Sequence, residues 1–104
     1  MDYGGVLIRL EYACAMYRRV YGTWPKQARF QPDLLHHLTH QLSSHELCEL
    51  VTRLELRARP DALLSVGGLG VVEYGGFDVA EAERYRPAAR DWLYAGFKVN
   101  SHLE

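Results

Sequence analysis

The sequence predicts an α+β fold in which helices pack on one face of a small antiparallel sheet. Apolar residues recur at helical spacing in the first half of the chain, and the period changes to two from Leu54 onward. Short runs rich in aliphatic and β-branched residues then alternate with glycine and proline turns. Because 104 residues suit one domain, we expect a single unit over 1–104 with the order α-(β)-α-α-β-β-β-α.

The first helix is predicted from Val6 to Tyr21. Gly22 occupies the position of a C-terminal cap, and Pro25 follows as a stop signal. The residues of its core-facing stripe, which share one side at about 100° per residue, are Val6, Leu10, Ala13, Cys14, Tyr17, Val20 and Tyr21.

A short strand near Ala28–Phe30 is predicted next, and the sequence leaves its pairing open. Pro32 suits the first position of a second helix, where its missing N–H group is not needed. Ser43 and Glu46 have the spacing of a capping box that begins a third helix.

Three strands are predicted to follow as an antiparallel meander: a first from Leu54 to about Ala58, then Ala62–Val66 and Gly70–Tyr74. The glycines between the last two strands suit a tight hairpin, since glycine accepts positive φ. Asp78 is the expected N-cap of a final helix that ends at Gly96, and 97–104 form a tail. Pro87 either kinks this helix or divides it into two.

Composition excludes several classes of protein. The chain is 48% hydrophobic and 24% charged, with a formal net charge of −1. Disorder and nucleic-acid binding are therefore not expected, and no apolar run reaches the ~18 residues of a membrane span. The N-terminus lacks the pattern of a signal peptide. Cys14 and Cys48, both on the apolar side of predicted helices, are expected to be buried thiols of a cytoplasmic protein.

His36 and His40 are the candidate metal ligands, since residues four apart lie on one helix face. A zinc site usually requires a third protein ligand, and the intervening residues do not form an H-E-x-x-H motif. We therefore expect a solvated helix face and no cofactor. No catalytic motif is found among the serines, cysteines and carboxylates, which favours a protein without enzymatic activity.

A second apolar stripe lies behind the first on the opening helix. Ile8, Tyr12 and Met16 are spaced by four, with Arg19 beside them. A helix apolar nearly all round is either covered on both sides by its own chain or pressed against another chain. Because a domain of this size is expected to have two layers, this stripe predicts a protein interface, first of all in a homodimer.

Aromatic residues make up 12% of the chain and suggest an alternative function. Tyr17, Tyr74, Tyr85 and Trp92 combine apolar walls with polar tips, as ligand pockets do. The alternative is therefore a domain that binds a small hydrophobic molecule between helices and sheet.

Two stretches resemble small bacterial proteins of unknown function of the integron gene cassette type. The first is Tyr21-Gly22-Thr23-Trp24-Pro25, and the second leads from Leu54-Glu55-Leu56 through Ser65-Val66-Gly67-Gly68 to Val72-Glu73-Tyr74. The resemblance covers roughly the middle half of the chain. It implies an accessory bacterial protein, often dimeric, and it transfers no catalytic residue.

Overall fold

Residues 4–61 and 63–96 are described by the computed structural model, and they form five helices and four strands. The elements in chain order are α1 (Gly4–Tyr21), β1 (Gln27–Phe30), α2 (Pro32–Gln41), α3 (Ser44–Val51), β2 (Glu55–Ala58), β3 (Leu64–Gly67), β4 (Val71–Glu73), α4 (Val79–Glu83) and α5 (Arg86–Leu93). Ala62, predicted to begin a strand, and the predicted tail 97–104 lie outside the described residues.

The four strands form a mixed sheet in the order β2-β1-β3-β4. The α+β class is confirmed, but the antiparallel meander is wrong because β1 lies between β2 and β3 and runs parallel to β2. Burial explains this order. Ala28 and Phe30 of β1 are fully buried, whereas most of β2 is exposed. Each strand has two apolar residues, but β1 has the larger apolar side chain in Phe30; β1 takes a central position and β2 takes an edge.

Helix α1 is covered by its own chain on more than one side. Contacts join it to β3 and β4 and also to α4 and α5, so the last two helices form a further layer over α1. The core contains Leu10 and Tyr17 of α1, Phe30 and Val66 of the sheet, and Leu93 of α5. The expectation of two layers is therefore wrong, because the chain after the sheet returns to cover α1.

Local signals place several helix boundaries as predicted, although α1 begins at Gly4 instead of Val6 and α5 ends at Leu93 instead of Gly96. Gly22 has a φ of +76° and donates its N–H group to the Arg18 carbonyl at 2.8 Å. The capping box of Ser43 and Glu46 is present. Asp78 caps α4 by accepting a hydrogen bond from the Ala80 N–H group. Pro87 lies in the first turn of a separate helix, which settles that the C-terminal helical region is divided.

The hairpin between β3 and β4 requires glycine for space, and the prediction of positive φ there is wrong. Positive φ occurs, among the described glycines, at Gly22 and Gly75 only. A Cβ on Gly68 would lie 2.7 Å from the Tyr17 hydroxyl, and one on Gly70 would overlap that of Tyr21. This close approach brings the end of α1 against the hairpin.

The two cysteines differ in burial. Cys14 is buried as predicted, whereas Cys48 is exposed. The buried side of α3 contains Leu50, and Cys48, two residues earlier, points away from it because about 200° of helical rotation separates them. Both thiols are free.

Candidate functional site

The most buried charged side chain of the described core is that of Glu11, on the side of α1 that faces α5. Its Oε1 accepts a hydrogen bond from Arg86 Nη1 at 2.9 Å, and its Oε2 accepts one from the Tyr94 hydroxyl at 2.7 Å. Both carboxylate oxygens therefore have a donor, as a buried charge requires. Burial and the neighbouring Glu11 charge raise the pKa of Tyr94, which keeps this phenol protonated as a donor.

The cluster continues from Glu11 toward the surface through Arg86. The Arg86 guanidinium donates to both Glu83 oxygens, from Nε at 3.1 Å and from Nη2 at 3.0 Å. The Tyr12 hydroxyl donates to Glu83 Oε1 at 2.6 Å. Hydrogen bonds from Arg86 and Tyr12 lower the pKa of Glu83, and the bond to Glu83 raises the pKa of Tyr12. One guanidinium thus joins two carboxylates across three helices.

The break between α4 and α5 gives this cluster its geometry. Glu83 ends α4 and Arg86 begins α5, so both side chains lie at the junction that packs against α1. Sequence reasoning does not reveal this network. The one available signal is that Glu11 is the only acidic residue within the predicted helix Val6–Tyr21.

The groups of this cluster bind one another and leave no free carboxylate oxygen on Glu11 to accept a proton from a substrate. The Glu11 carboxylate is occupied on both oxygens, and Arg86 is a permanent cation. Nearby Cys14 is fully buried, and desolvation raises the pKa of its thiol, which disfavours the thiolate needed for nucleophilic attack. The arrangement ties α1, α4 and α5 together.

The four predicted interface residues of α1 differ in burial. Met16 is 6% exposed, and Tyr12 is half-buried with its hydroxyl on Glu83. Ile8 keeps 40% of its surface exposed, and exposed Arg19 donates from Nε to the Tyr85 hydroxyl at 3.2 Å. The premise of an uncovered stripe is thus wrong at Met16 and Tyr12, whereas homodimer formation itself stays a prediction.

The four aromatic residues of the predicted pocket have separate partners. The buried Tyr17 hydroxyl accepts hydrogen bonds from the Leu69 and Gly70 N–H groups. Tyr74 packs edge-on against Phe77. The remaining contacts are the Tyr85–Arg19 hydrogen bond and a parallel stack of Trp92 on Trp24 with ring centroids 4.8 Å apart.

These partners lie on different sides of α1, so the structure does not bring the four residues together. Arg9 of α1 lies over Tyr74, Arg19 over Tyr85, and Arg18 over Trp24. Those three arginines project in different directions. At about 100° per residue, Arg18 lies about 180° around the helix from Arg9, and Arg19 about 280°. Binding of a small hydrophobic ligand stays a prediction.

His36 and His40 do lie side by side on α2, with ring centroids 4.1 Å apart. The His40 Nδ1–H group donates to the His36 carbonyl at 3.1 Å. Within residues 4–61 and 63–96, no group of three His, Cys, Asp or Glu side chains has an arrangement that could hold a metal ion. The pair therefore has no third protein ligand in the described part of the chain.

The second face of the sheet carries polar side chains. One row across it contains, in sheet order, Arg57, Arg29, Ser65 and Glu73. These side chains lie on the face opposite the core because successive residues of a strand alternate. Ser65 is itself buried, whereas the three charged side chains are at least partly exposed. On β2, Arg57 Nη2 lies 2.7 Å from Glu55 Oε2, and both side chains are more than half exposed.

The outer edge of β2 has backbone groups that point away from the sheet. The other backbone groups of this segment are directed toward β1. The Glu55 N–H group donates to the carbonyl of Lys26, the residue before β1, at 3.0 Å, and the Arg59 N–H group donates to the Phe30 carbonyl at 2.8 Å. Because backbone groups alternate in direction along a strand, those of Leu56 and Ala58 point outward. Edge groups of this kind are a template for pairing with another chain.

No family model matches the chain, and neither a curated protein nor a solved structure matches it. No helix formed by the described residues combines the length and apolar character needed to cross a membrane.

Proposed function

We propose that this chain is an interaction protein without catalytic activity that works as a homodimer. The observation that carries the proposal is the outward-pointing backbone of Leu56 and Ala58 at the edge of the sheet. The state of the polar cluster supports the first half of the proposal, since the Glu11 carboxylate is already bonded to Arg86 and Tyr94. This cluster holds the helices together.

The sheet edge supports association better than the predicted stripe on α1. Burial of Met16 removes one end of that stripe, Tyr12 at its centre is half-buried, and only Ile8 presents a large apolar surface there. An edge strand, in contrast, offers unpaired donors and acceptors that a second strand can satisfy. We therefore assign the contact to β2, with the surface around Ile8 and Arg19 as the competing location.

The remaining expectations accompany this proposal. A bacterial cytoplasmic protein of the integron cassette type, free of cofactors, suits a small interaction domain. These features rest on the sequence pattern alone and stay predictions.

Light scattering coupled to size-exclusion chromatography tests the proposal. A chain of 11.9 kDa should have twice that mass at about 100 μM and approach the mass of one chain on dilution, since association follows mass action. A single-chain mass even at about 300 μM would contradict homodimer formation.

Matched variants then identify the surface. Ala58→Pro removes an outward N–H group from β2 and should shift the equilibrium toward monomer. Ile8→Asp places a charge on α1 and should leave the mass unchanged. The opposite result would assign the contact to α1 and leave the homodimer in place.

A further inference from the structure

We infer that the second copy pairs with β2 antiparallel, in a register centred on Leu56, so that two sheets become one continuous eight-stranded sheet. This inference rests on the proposed homodimer and specifies its contact. A two-fold axis through Leu56 makes this residue a hydrogen-bonded pair with Leu56 of the second copy, which uses its outward N–H and C=O groups. The interface is self-complementary, as two-fold symmetry requires.

Charge decides in favour of this register. Centring on Leu56 places Glu55 directly opposite Arg57 of the second copy, and the same pair occurs twice by symmetry. Both side chains lie on the polar face of the sheet, where they form an ion pair with each other within the single chain. Both are more than half exposed, so a neighbouring strand can also reach them. Directly opposite charges on paired strands stabilise pairing, whereas like charges weaken it.

Neighbouring registers place like charges together. A shift by one pair sets Arg57 opposite Arg57 of the second copy, although it also sets Glu55 opposite Arg59. A further shift sets Arg57 opposite Arg59 and Glu55 opposite Asp61, each twice. Arg59 lies one residue past β2; in the register centred on Leu56 it faces no residue of the second copy's β2 and keeps its own partner, Asp61, at 3.3 Å. Only the Leu56 register pairs both charges of the strand with opposite charges.

The other edge of the sheet lacks this complementarity. The Tyr74 N–H group donates to the Leu64 carbonyl of β3. Because backbone groups alternate in direction, Val72, two residues before Tyr74, also has its backbone groups directed toward β3. Val71 and Glu73 therefore point outward. Antiparallel self-pairing of β4 sets Val71 opposite Glu73, Glu73 opposite Glu73 or Val71 opposite Val71, and none of these pairs joins opposite charges. We accordingly assign the contact to β2.

Two charge reversals on β2 test the register. Glu55→Arg sets arginine opposite Arg57 twice in a homodimer, and Arg57→Glu sets glutamate opposite Glu55 twice. Each variant alone should raise the dimer dissociation constant by about 10- to 100-fold, since two attractive pairs become repulsive. The measurement is sedimentation or light scattering over a concentration series at about 50 mM salt, where screening is weak.

Mixing the two single variants should restore the dimer. In the mixed dimer, the arginine introduced by Glu55→Arg lies opposite the glutamate introduced by Arg57→Glu. The unchanged Arg57 of the first variant lies opposite the unchanged Glu55 of the second, so both cross-strand pairs attract again. Neither single variant regains the ion pair within its own strand, so recovery on mixing reports contacts between chains. The double variant Glu55→Arg with Arg57→Glu should also form a homodimer, because each arginine again meets a glutamate.

A control separates this effect from net charge. Glu81→Arg and Arg84→Glu change the charge by the same amounts at exposed positions far along the chain from β2. Each control variant should dimerise like the natural chain, and their mixture should show no recovery because nothing was lost. Amide hydrogen exchange adds a readout: Leu56 and Ala58 should become protected as concentration rises, and Val71 should not.

The outcomes distinguish the two proposals. Restoration of the dimer in the mixture of β2 variants supports the register. A dimer that tolerates both single reversals overturns the register while the homodimer stands. A natural chain that stays monomeric at about 300 μM overturns both. Open-ended growth of the scattering mass would indicate pairing of unlike edges and would also contradict the two-fold contact.

Discussion

Two ion pairs of similar length lie in different layers of this molecule and have different physical consequences. Arg86 and Glu11 approach to 2.9 Å between the helices, with 24% and 6% of their side chains exposed. Arg57 and Glu55 approach to 2.7 Å on the sheet, with 56% and 57% exposed. The distance between nitrogen and oxygen is nearly the same in the two pairs, but their exposure to solvent differs. The buried pair holds the helices together, whereas the exposed pair is the one that the proposed homodimer would use.

The largest expected effect is at the buried pair. Arg86→Met leaves the Glu11 carboxylate without its cation and should lower the free energy of unfolding by about 3–5 kcal/mol. The control Arg84→Met, at an exposed position, should stay within about 0.5 kcal/mol. Urea unfolding of both variants checks this. A loss below about 1 kcal/mol at Arg86 would show that burial does not set this pair apart.

An intermediate effect is expected at Tyr94. Tyr94→Phe removes the second donor to Glu11 and should cost about 1.5–3 kcal/mol at pH 7, because the lost hydrogen bond ends on a charge. Urea unfolding at neutral pH measures it, and the Arg84→Met variant again serves as the control. An unchanged free energy of unfolding would place the Tyr94 hydroxyl outside the network.

The same residue predicts how stability changes in alkali. Burial and Glu11 raise the pKa of Tyr94 above its ordinary value of about 10. The unfolded chain therefore releases this proton first, so the stabilisation is complete below about pH 10 and is lost as pH rises above it. The free energy of unfolding, measured from about pH 8 to about pH 11, should fall less steeply for Tyr94→Phe than for the natural chain. Equal slopes would contradict the raised pKa.

The smallest effect is expected at the exposed pair. Arg57→Met, measured at low protein concentration, should change the free energy of unfolding by less than about 0.5 kcal/mol, since exposed ion pairs contribute little. The same variant should weaken association. A loss above about 1 kcal/mol in the dilute chain would assign this pair to the fold and remove the contrast with Arg86.

The site predictions that differ from the structure are those that depend on tertiary packing. The stripe of Ile8, Tyr12 and Met16 is present, but a helix later in the chain covers much of it. Residue type alone puts Cys48 on the buried side of its helix, although Leu50 defines that side. The network around Glu11 depends on partners 75 and 83 residues away, and no local pattern relates residues so far apart.

Helix boundaries of this protein follow from short stretches of sequence. Gly22, the capping box of Ser43 and Glu46, and Pro87 act within about one helical turn, so their effects can be predicted without the rest of the chain. Long-range packing, in contrast, places β1 between β2 and β3 and sets the last helices over α1. Those choices depend on competition among distant segments for burial, and a short strand has several partners that satisfy its hydrogen bonds.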